Sequence, residues 1–335
     1  MAQKRGPMIE EIKTDLYRME IPLPENPLKS MNSYVIKAPE RSLVIDTGMD
    51  KEECLTAMRA GLKRLGIDLR RTDLLVTHFH IDHIGLVSRL KTEESSLYLS
   101  RPDADSIAQI KSGRHWDKMI RFTEMNGFPE DELRESFRNH PGYLSQLEDP
   151  SSFRILEDGD LLNYGGYHFK CVQTPGHSRG HMCLYEPEKK ILLSGDHVLN
   201  NITPSIQLRS ADWNPLAEYL KSLDKVYGLD VELVLPGHRG VFKNLKERIT
   251  ELKHHHQRRA EEIISALQGD KKTAYQVASL ISWDISCDSW DSFPVIQKWF
   301  AVGEVIAHLK YLEEEGRVRK EVGQQGMIYF SNAPP

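Results

Sequence analysis

Four apolar runs in this chain end in the same way. DLLVTHFHIDH (73–83), CVQTPGH (171–177), ILLSGDH (191–197) and LVLPGH (233–238) each pass from strand-forming residues into histidine or aspartate. Short runs rich in Leu, Val and Ile read as buried strands. In α/β folds, ligands bind in the crevice beyond the carboxyl ends of the strands. Loops there are aimed by a rigid sheet. A chance scatter of the 14 histidines would not choose strand ends so regularly.

The residue types fit one chemistry. Neutral imidazole nitrogen and carboxylate oxygen are both zinc ligands. His78 and His80 are two apart, so on extended backbone they face the same way. Asp82 and His83 lie past the bend and can face a second position. One segment can thus feed two metals, with His177 completing one triad and His238 the other. Asp196, with two oxygens, can bridge them.

The rest of the chain alternates strands and helices, which argues for an α/β class. Further strands are expected at SYVIKA (33–38), SLVIDTG (42–48), SLYLS (96–100), YHFKCVQTPGH (167–177) and HMCLYEP (181–187). The first two of these look like a meander, so a mixed sheet is expected. CLTAMRAGLKRLG (54–66) and NPLAEYLKSLDKVYG (214–228) carry apolar residues at helical spacing, and the first stops at Gly66. Residues 102–149 read as a helical insertion, broken at Gly113, Gly127–Pro129 and Pro141–Gly142. Its Trp116, Met119, Phe122, Met125, Phe128, Phe137 and Tyr143 are expected to form a small core of their own. A roof over the site is the sharper alternative. The expected division is 1–245, including the insertion, and 246–335, where helices precede a hairpin-like RKEVGQQGMIYFS. That order suggests a winged-helix-like module.

Composition narrows the function classes. The formal net charge of −5 argues against a general nucleic-acid or membrane binder. No apolar stretch approaches the ~20 residues that span a bilayer. The N-terminus has no apolar segment behind its basic residues, so no secretory signal is expected. Cys54, Cys171, Cys183 and Cys287 are far apart, which fits reduced thiols and a cytoplasmic protein.

Together, THFHIDH, TPGH, SGDH and LPGH resemble the motifs of the metallo-β-lactamase-fold hydrolase superfamily, in the style of its glyoxalase II-like and lactonase-like branches. The resemblance spans roughly residues 10–245. It implies a four-layer αββα sandwich. It also implies His78, His80 and His177 on one metal, Asp82, His83 and His238 on a second, and Asp196 between them. DTG (46–48) resembles the motif whose aspartate, here Asp46, supports the site from behind the ligands. His181 and His197 sit beside ligand motifs and are candidates for the same supporting role or for simple packing. The tail around QKWFAVGEVIAHLKYLEEEGRV resembles the winged-helix-like tail of one branch, which includes a mitochondrial endoribonuclease.

The resemblance implies two divalent metals, zinc by default, with iron or manganese able to use similar ligands. A metal-bridged hydroxide would attack an ester, thioester or lactone carbonyl of a small-molecule substrate. Asp82 is the expected catalytic residue, orienting that hydroxide or carrying a proton. Three alternatives stand beside this reading. A phosphodiesterase or endoribonuclease would more often have a visibly basic tail, whereas this one is nearly balanced. A mononuclear-iron sulfur dioxygenase shares the first motif but usually lacks second-site ligands such as His238. A regulatory module acting through the tail would meet the acidic Glu313–Glu315, which repels phosphate. The stripe of Trp299, Phe300, Val305, Ile306, Leu309 and Leu312 is better used in packing against the main domain or in a homodimer interface. The His254–His256 run is expected on a solvated helix face.

Overall fold

The computed structural model describes residues 7–138, 147–208, 210–284, 287 and 289–334. Its chain divides into two units, Met1–Lys111 with Ser145–Pro204 and Ser222–Arg248, and Ser112–Leu144 with Ser205–Lys221 and Ile249–Pro335.

The first unit carries two sheets. One orders β1 (Ile9–Lys13), β2 (Leu16–Pro22), β3 (Ser30–Ile36), β4 (Ser42–Ile45), β5 (Thr72–Leu75), β6 (Leu97–Ser100) and β7 (Phe153–Leu156) side by side in chain order. The first four run antiparallel and β4 to β7 run parallel, so the sheet is mixed as expected. The other sheet is ordered β12 (Leu233–Pro236), β11 (Ile191–Gly195), β10 (Met182–Glu186), β9 (Tyr167–Gln173) and β8 (Leu161–Tyr164). Its β11–β12 pair is parallel and the rest antiparallel.

Strand alternation sorts side chains onto two faces. Val35, Val44 and Leu74 face a core shared with Cys54, Leu55, Met58 and Leu62 of α1 (Glu52–Leu65). Tyr34, Ile36, Leu43, Ile45 and Leu75 face a second core, shared with Tyr167, Phe169, Cys171, Leu184 and Leu193 of the other sheet. Helix α1 stops at Gly66, which takes φ 71° and donates its N–H to the last turn. The short helices α2 (Ile81–Ile84) and α3 (Val87–Leu90) follow β5, and α4 (Arg101–Lys111) follows β6.

The second unit is built from α5 (Arg114–Met125), α6 (Glu130–Arg138), α9 (Ala274–Ala278), α10 (Val295–Glu314) and the antiparallel hairpin β13 (Val318–Val322) with β14 (Ile328–Asn332). The unit boundaries fall within α7 (Pro215–Tyr227) and α8 (Leu245–Ala266). The C-terminal region is therefore helical with a terminal hairpin.

Two sequence expectations are corrected here. Among the described residues, the insertion's apolar side chains do not form a core of their own. Met119 and Phe128 are buried with Ala260, Ile263, Val277, Trp299, Val305, Leu309 and Phe330, and Trp116, Phe122 and Met125 pack on the same cluster. The large residues of α5 share this cluster with Phe128 and Leu133 nearby and with residues far along the chain. The side chain of Phe137, and Tyr143, lie outside the described residues. The stripe of α10 joins this same cluster, within its own unit. The histidine run is also not uniformly solvated. His254 is exposed, but His256 is buried, and its Nδ1 lies 3.2 Å from Nε2 of His308. Successive helical residues turn by about 100°, so one of three in a row can face inward.

Candidate metal centre

The carboxyl ends of β5, β9, β11 and β12 bring the candidate ligands together. After β5 the chain bends at Thr77 and His78, is extended again at His80, then turns into α2, which puts Asp82 and His83 on one helical turn. Three groups of ligand atoms each lie within 4.8 Å of one another: His78, His80 and His177; His78, His83 and Asp196; and Asp82, His83 and His238. All seven candidate ligands belong to these groups. Nε2 of His238 is 3.4 Å from Oδ2 of Asp82 and 3.4 Å from Oδ2 of Asp196. Nε2 of His177 is 3.7 Å from that same Asp196 oxygen, and Nε2 of His83 is 3.6 Å from its other one. Asp196 thus stands between the groups.

Imidazoles on one side of the cluster are oriented from behind. Asp46, held at φ 59° just past β4, accepts from the Thr77 N–H and hydroxyl at 2.8 Å and pairs with Nδ1 of His83 at 2.8 Å. His83 therefore turns Nε2 toward Asp196. Nδ1 of His238 donates to the Ser30 carbonyl at 3.0 Å. Asn32 and Tyr34 grip the same loop through the carbonyls of Pro236 and Arg239. Partners of this kind fix ring tautomer and direction.

His181 does not offer a nitrogen to these groups. Nε2 accepts from the Asp196 N–H at 3.0 Å, and Nδ1 bonds the Thr174 hydroxyl at 2.8 Å. It supports Asp196 through the backbone. His197 is buried, its ring 6.0 Å from that of His181, and burial pushes its pKa down to about 3. It stands outside the three groups.

Two glycines are needed for close approach. A Cβ on Gly237 would lie 2.4 Å from Oδ1 of Asp196, and one on Gly195 would lie 2.6 Å from Nε2 of His181.

The charge balance separates the two sides of the cluster. Burial, then the neighbouring His177, pushes His80 down to about 3, and burial also holds His78 well below its usual range. Both stay neutral, as ligands must. On the other side burial opposes a charge on His238, but Asp196 and Asp82 outweigh it and lift the group to about 10. The same opposition ends with His83 raised well above the usual imidazole range by Asp46, Asp196 and Asp82. These carboxylates require positive charge beside them, which a divalent cation supplies in place of protons. The donor atoms fit that group. Nε2 of His83, Nε2 of His238 and Oδ1 of Asp196 are buried and make no hydrogen bond among the described residues. Unsatisfied buried polar atoms are costly, so three in one cluster need a partner.

Sequence reasoning missed one carboxylate. Asp103 is fully buried just past β6, where Oδ2 accepts from the Phe79 N–H at 3.0 Å and the Ser178 hydroxyl at 2.8 Å. Oδ1 accepts from the Gly180 N–H at 2.7 Å. An aspartate in RPDADS reads as an ordinary first-turn helix residue. The usable signal was that LYLSRPD, like the other runs, leads off a strand end into a carboxylate.

Comparison with known proteins agrees with this architecture. The model of the metallo-beta-lactamase superfamily matches residues 28–95 and 109–238, and that of the metallo-beta-lactamase-like C-terminal domain matches 287–333. An atrochrysone carboxyl ACP thioesterase of Aspergillus fumigatus is 27% identical over 244 residues, 72% of this chain and 61% of its own length. The chain thus spans about three fifths of that relative. An acyl-coenzyme A thioesterase of Gallus gallus is 28% identical over 225 residues, 63% of this chain and 73% of its own length. The crystal structure of a metallo-beta-lactamase family protein from Thermus thermophilus superposes with a TM-score of 0.81 at 27% identity, covering 96% of this chain and all of that one.

Proposed function

Because the chain belongs to the metallo-β-lactamase superfamily, we propose that it is a two-metal hydrolase of acyl carbonyl compounds, thioesters ahead of esters and lactones. The observation that carries this reading is the three overlapping ligand groups, in which His78, His83 and Asp196 tie one end of the cluster to the other. His78, His80 and His177 would hold one ion, Asp82, His83 and His238 the other, and Asp196 both. Zinc is the first choice for such nitrogen and oxygen donors. Bound there, the metals supply Lewis acidity and a water of lowered pKa.

The remaining work falls to the chain. His83 and His238 offer Nε2 only, because Asp46 and the Ser30 carbonyl engage Nδ1. Asp82 keeps some exposure and is held below the usual carboxylate range: burial opposes the charge, but His83 and His238 outweigh it. It is an acceptor able to orient a water proton. The thioesterase relatives support an acyl thioester substrate. The helix-then-hairpin order of residues 274–332 supports a winged-helix-like C-terminal region. Four free cysteines fit a reducing compartment such as the cytoplasm.

The test is metal stoichiometry by mass spectrometry on protein purified without chelator or nickel, followed by thiol release from an acyl-thioester. Two ions per chain and turnover that disappears on chelation are expected. A single iron with oxygen uptake, or full turnover in the stripped protein, would overturn the reading.

A further inference from the structure

The three-histidine group comes from two separate loops, one after β5 and one after β9. Asp103 spans them. Its carboxylate accepts from the N–H of Phe79, which lies between His78 and His80, and from two groups just beyond His177: the Ser178 hydroxyl and the Gly180 N–H. The approach is tight. A Cβ on Gly180 would lie 2.1 Å from the Ser100 hydroxyl and 2.9 Å from Oδ1 of Asp103. The other group is braced from elsewhere, by Asp46 on His83 and by Ser30 and Asn32 on the His238 loop; Thr77, which Asp46 also holds, touches the first group only through its hydroxyl, 3.0 Å from Nδ1 of His78.

We propose that Asp103 is a positioning residue that sets the spacing of the His78–His80 loop and the His177 loop, and through it the metal affinity of the three-histidine site alone. This rests on the two-metal reading above. The physical reason is the donor count. Three donors converge on two oxygens that only accept. In Asp103→Asn one oxygen becomes an NH2 group that must face an N–H or hydroxyl donor. At least one of the three bonds is then lost, while the side chain's volume is kept. Charge-assisted hydrogen bonds are about twice as strong as neutral ones, so the remaining contacts weaken too.

The experiment is Zn2+ titration of the full chain against a chromogenic chelator, wild type beside Asp103→Asn and Ser178→Ala, with amide exchange on the metal-free proteins. Asp103→Asn should weaken one of two sites by tenfold or more and leave the other within about threefold. Ser178→Ala, which removes one of the three donors, should weaken the same site less. In the metal-free protein Asp103→Asn should unprotect the Phe79 or the Gly180 amide, whichever faces the new NH2 group, but not that of Thr77, which bonds Asp46. Equal weakening of both sites, two unchanged sites, or unchanged exchange at Phe79 and Gly180 would overturn the proposal. A wild type that binds fewer than two ions would overturn the two-metal reading instead, and the exchange result would still decide whether Asp103 holds the loops.

Discussion

Asp46 bonds three groups at once, and each lies next to a candidate ligand or is one. Replacing it with asparagine leaves the shape but turns an acceptor into a donor facing Thr77 or His83. Substituting such partners typically costs 10–100-fold in metal affinity or activity. Asp46→Asn should therefore fall in that range by chelator competition, with the Asp82, His83, His238 group affected first. Asp82 makes a separable prediction. Its place beside Nε2 of His238 makes it both a candidate ligand and an acceptor close to that imidazole. Asp82→Asn should lower kcat even in protein refilled to two ions per chain. Normal turnover in the fully metallated variant would assign Asp82 to metal holding alone.

At the scale of elements, β5 and α2 show how local structure feeds the site. The bend after β5 brings His78 and His80 together, their ring nitrogens 3.1 Å apart, and a single helical turn presents Asp82 and His83 on the other side. The angle between these directions comes from the start of α2 at Ile81, between the two pairs. The end of α1 is governed by backbone conformation alone. Gly66 sits at φ 71° with open space where a Cβ would go, so Gly66→Ala adds strain and no clash. The left-handed region costs an L-residue about 1–2 kcal/mol. The variant should lose about 1 kcal/mol of stability, read from a denaturant midpoint at unchanged slope, with metal content unaffected.

At the scale of the whole molecule, the second unit is assembled from three stretches of chain, Ser112–Leu144, Ser205–Lys221 and Ile249–Pro335. Cutting the chain after Arg248 would strip Met119, Phe128 and Leu133 of the partners that bury them. The truncated protein should aggregate or bind a hydrophobic dye strongly, whatever the state of its metal cluster. A soluble, dye-negative truncation would show that α5 and α6 can be covered some other way. The same unit sets an acid limit. Burial holds His308 down to about 3, and His256 beside it is also well below 6.5. Both are neutral when folded, whereas the unfolded chain protonates them below about 6.5. The stability they contribute is therefore complete above about pH 6.5 and is lost as pH falls toward about 3. For His308 alone the loss is about 2 kcal/mol by about pH 5. Denaturant midpoints between pH 8 and pH 5 should fall more steeply for wild type than for His308→Gln.

What the sequence alone determined was the sites of the local elements and the family. Apolar runs and their endings depend only on neighbouring residues. Thus β5, β9, β11 and β12, each followed by histidine or aspartate, were readable, as were α1 with its glycine stop and the final hairpin. The short β7 and β8 were not, because FRIL and LLNY carry too few residues for a period to emerge. Tertiary structure decided how those ends meet. Asp196 faces both His83 and His177, and His181 is spent on the backbone of Asp196, because of how strands far apart in sequence pair. The sequence marked Asp103 only as a carboxylate past a strand end; what it holds, like the distant core partners of α5, was not legible for the same reason. Their roles are contacts with residues tens to hundreds of positions away, and no local pattern encodes a contact at that range.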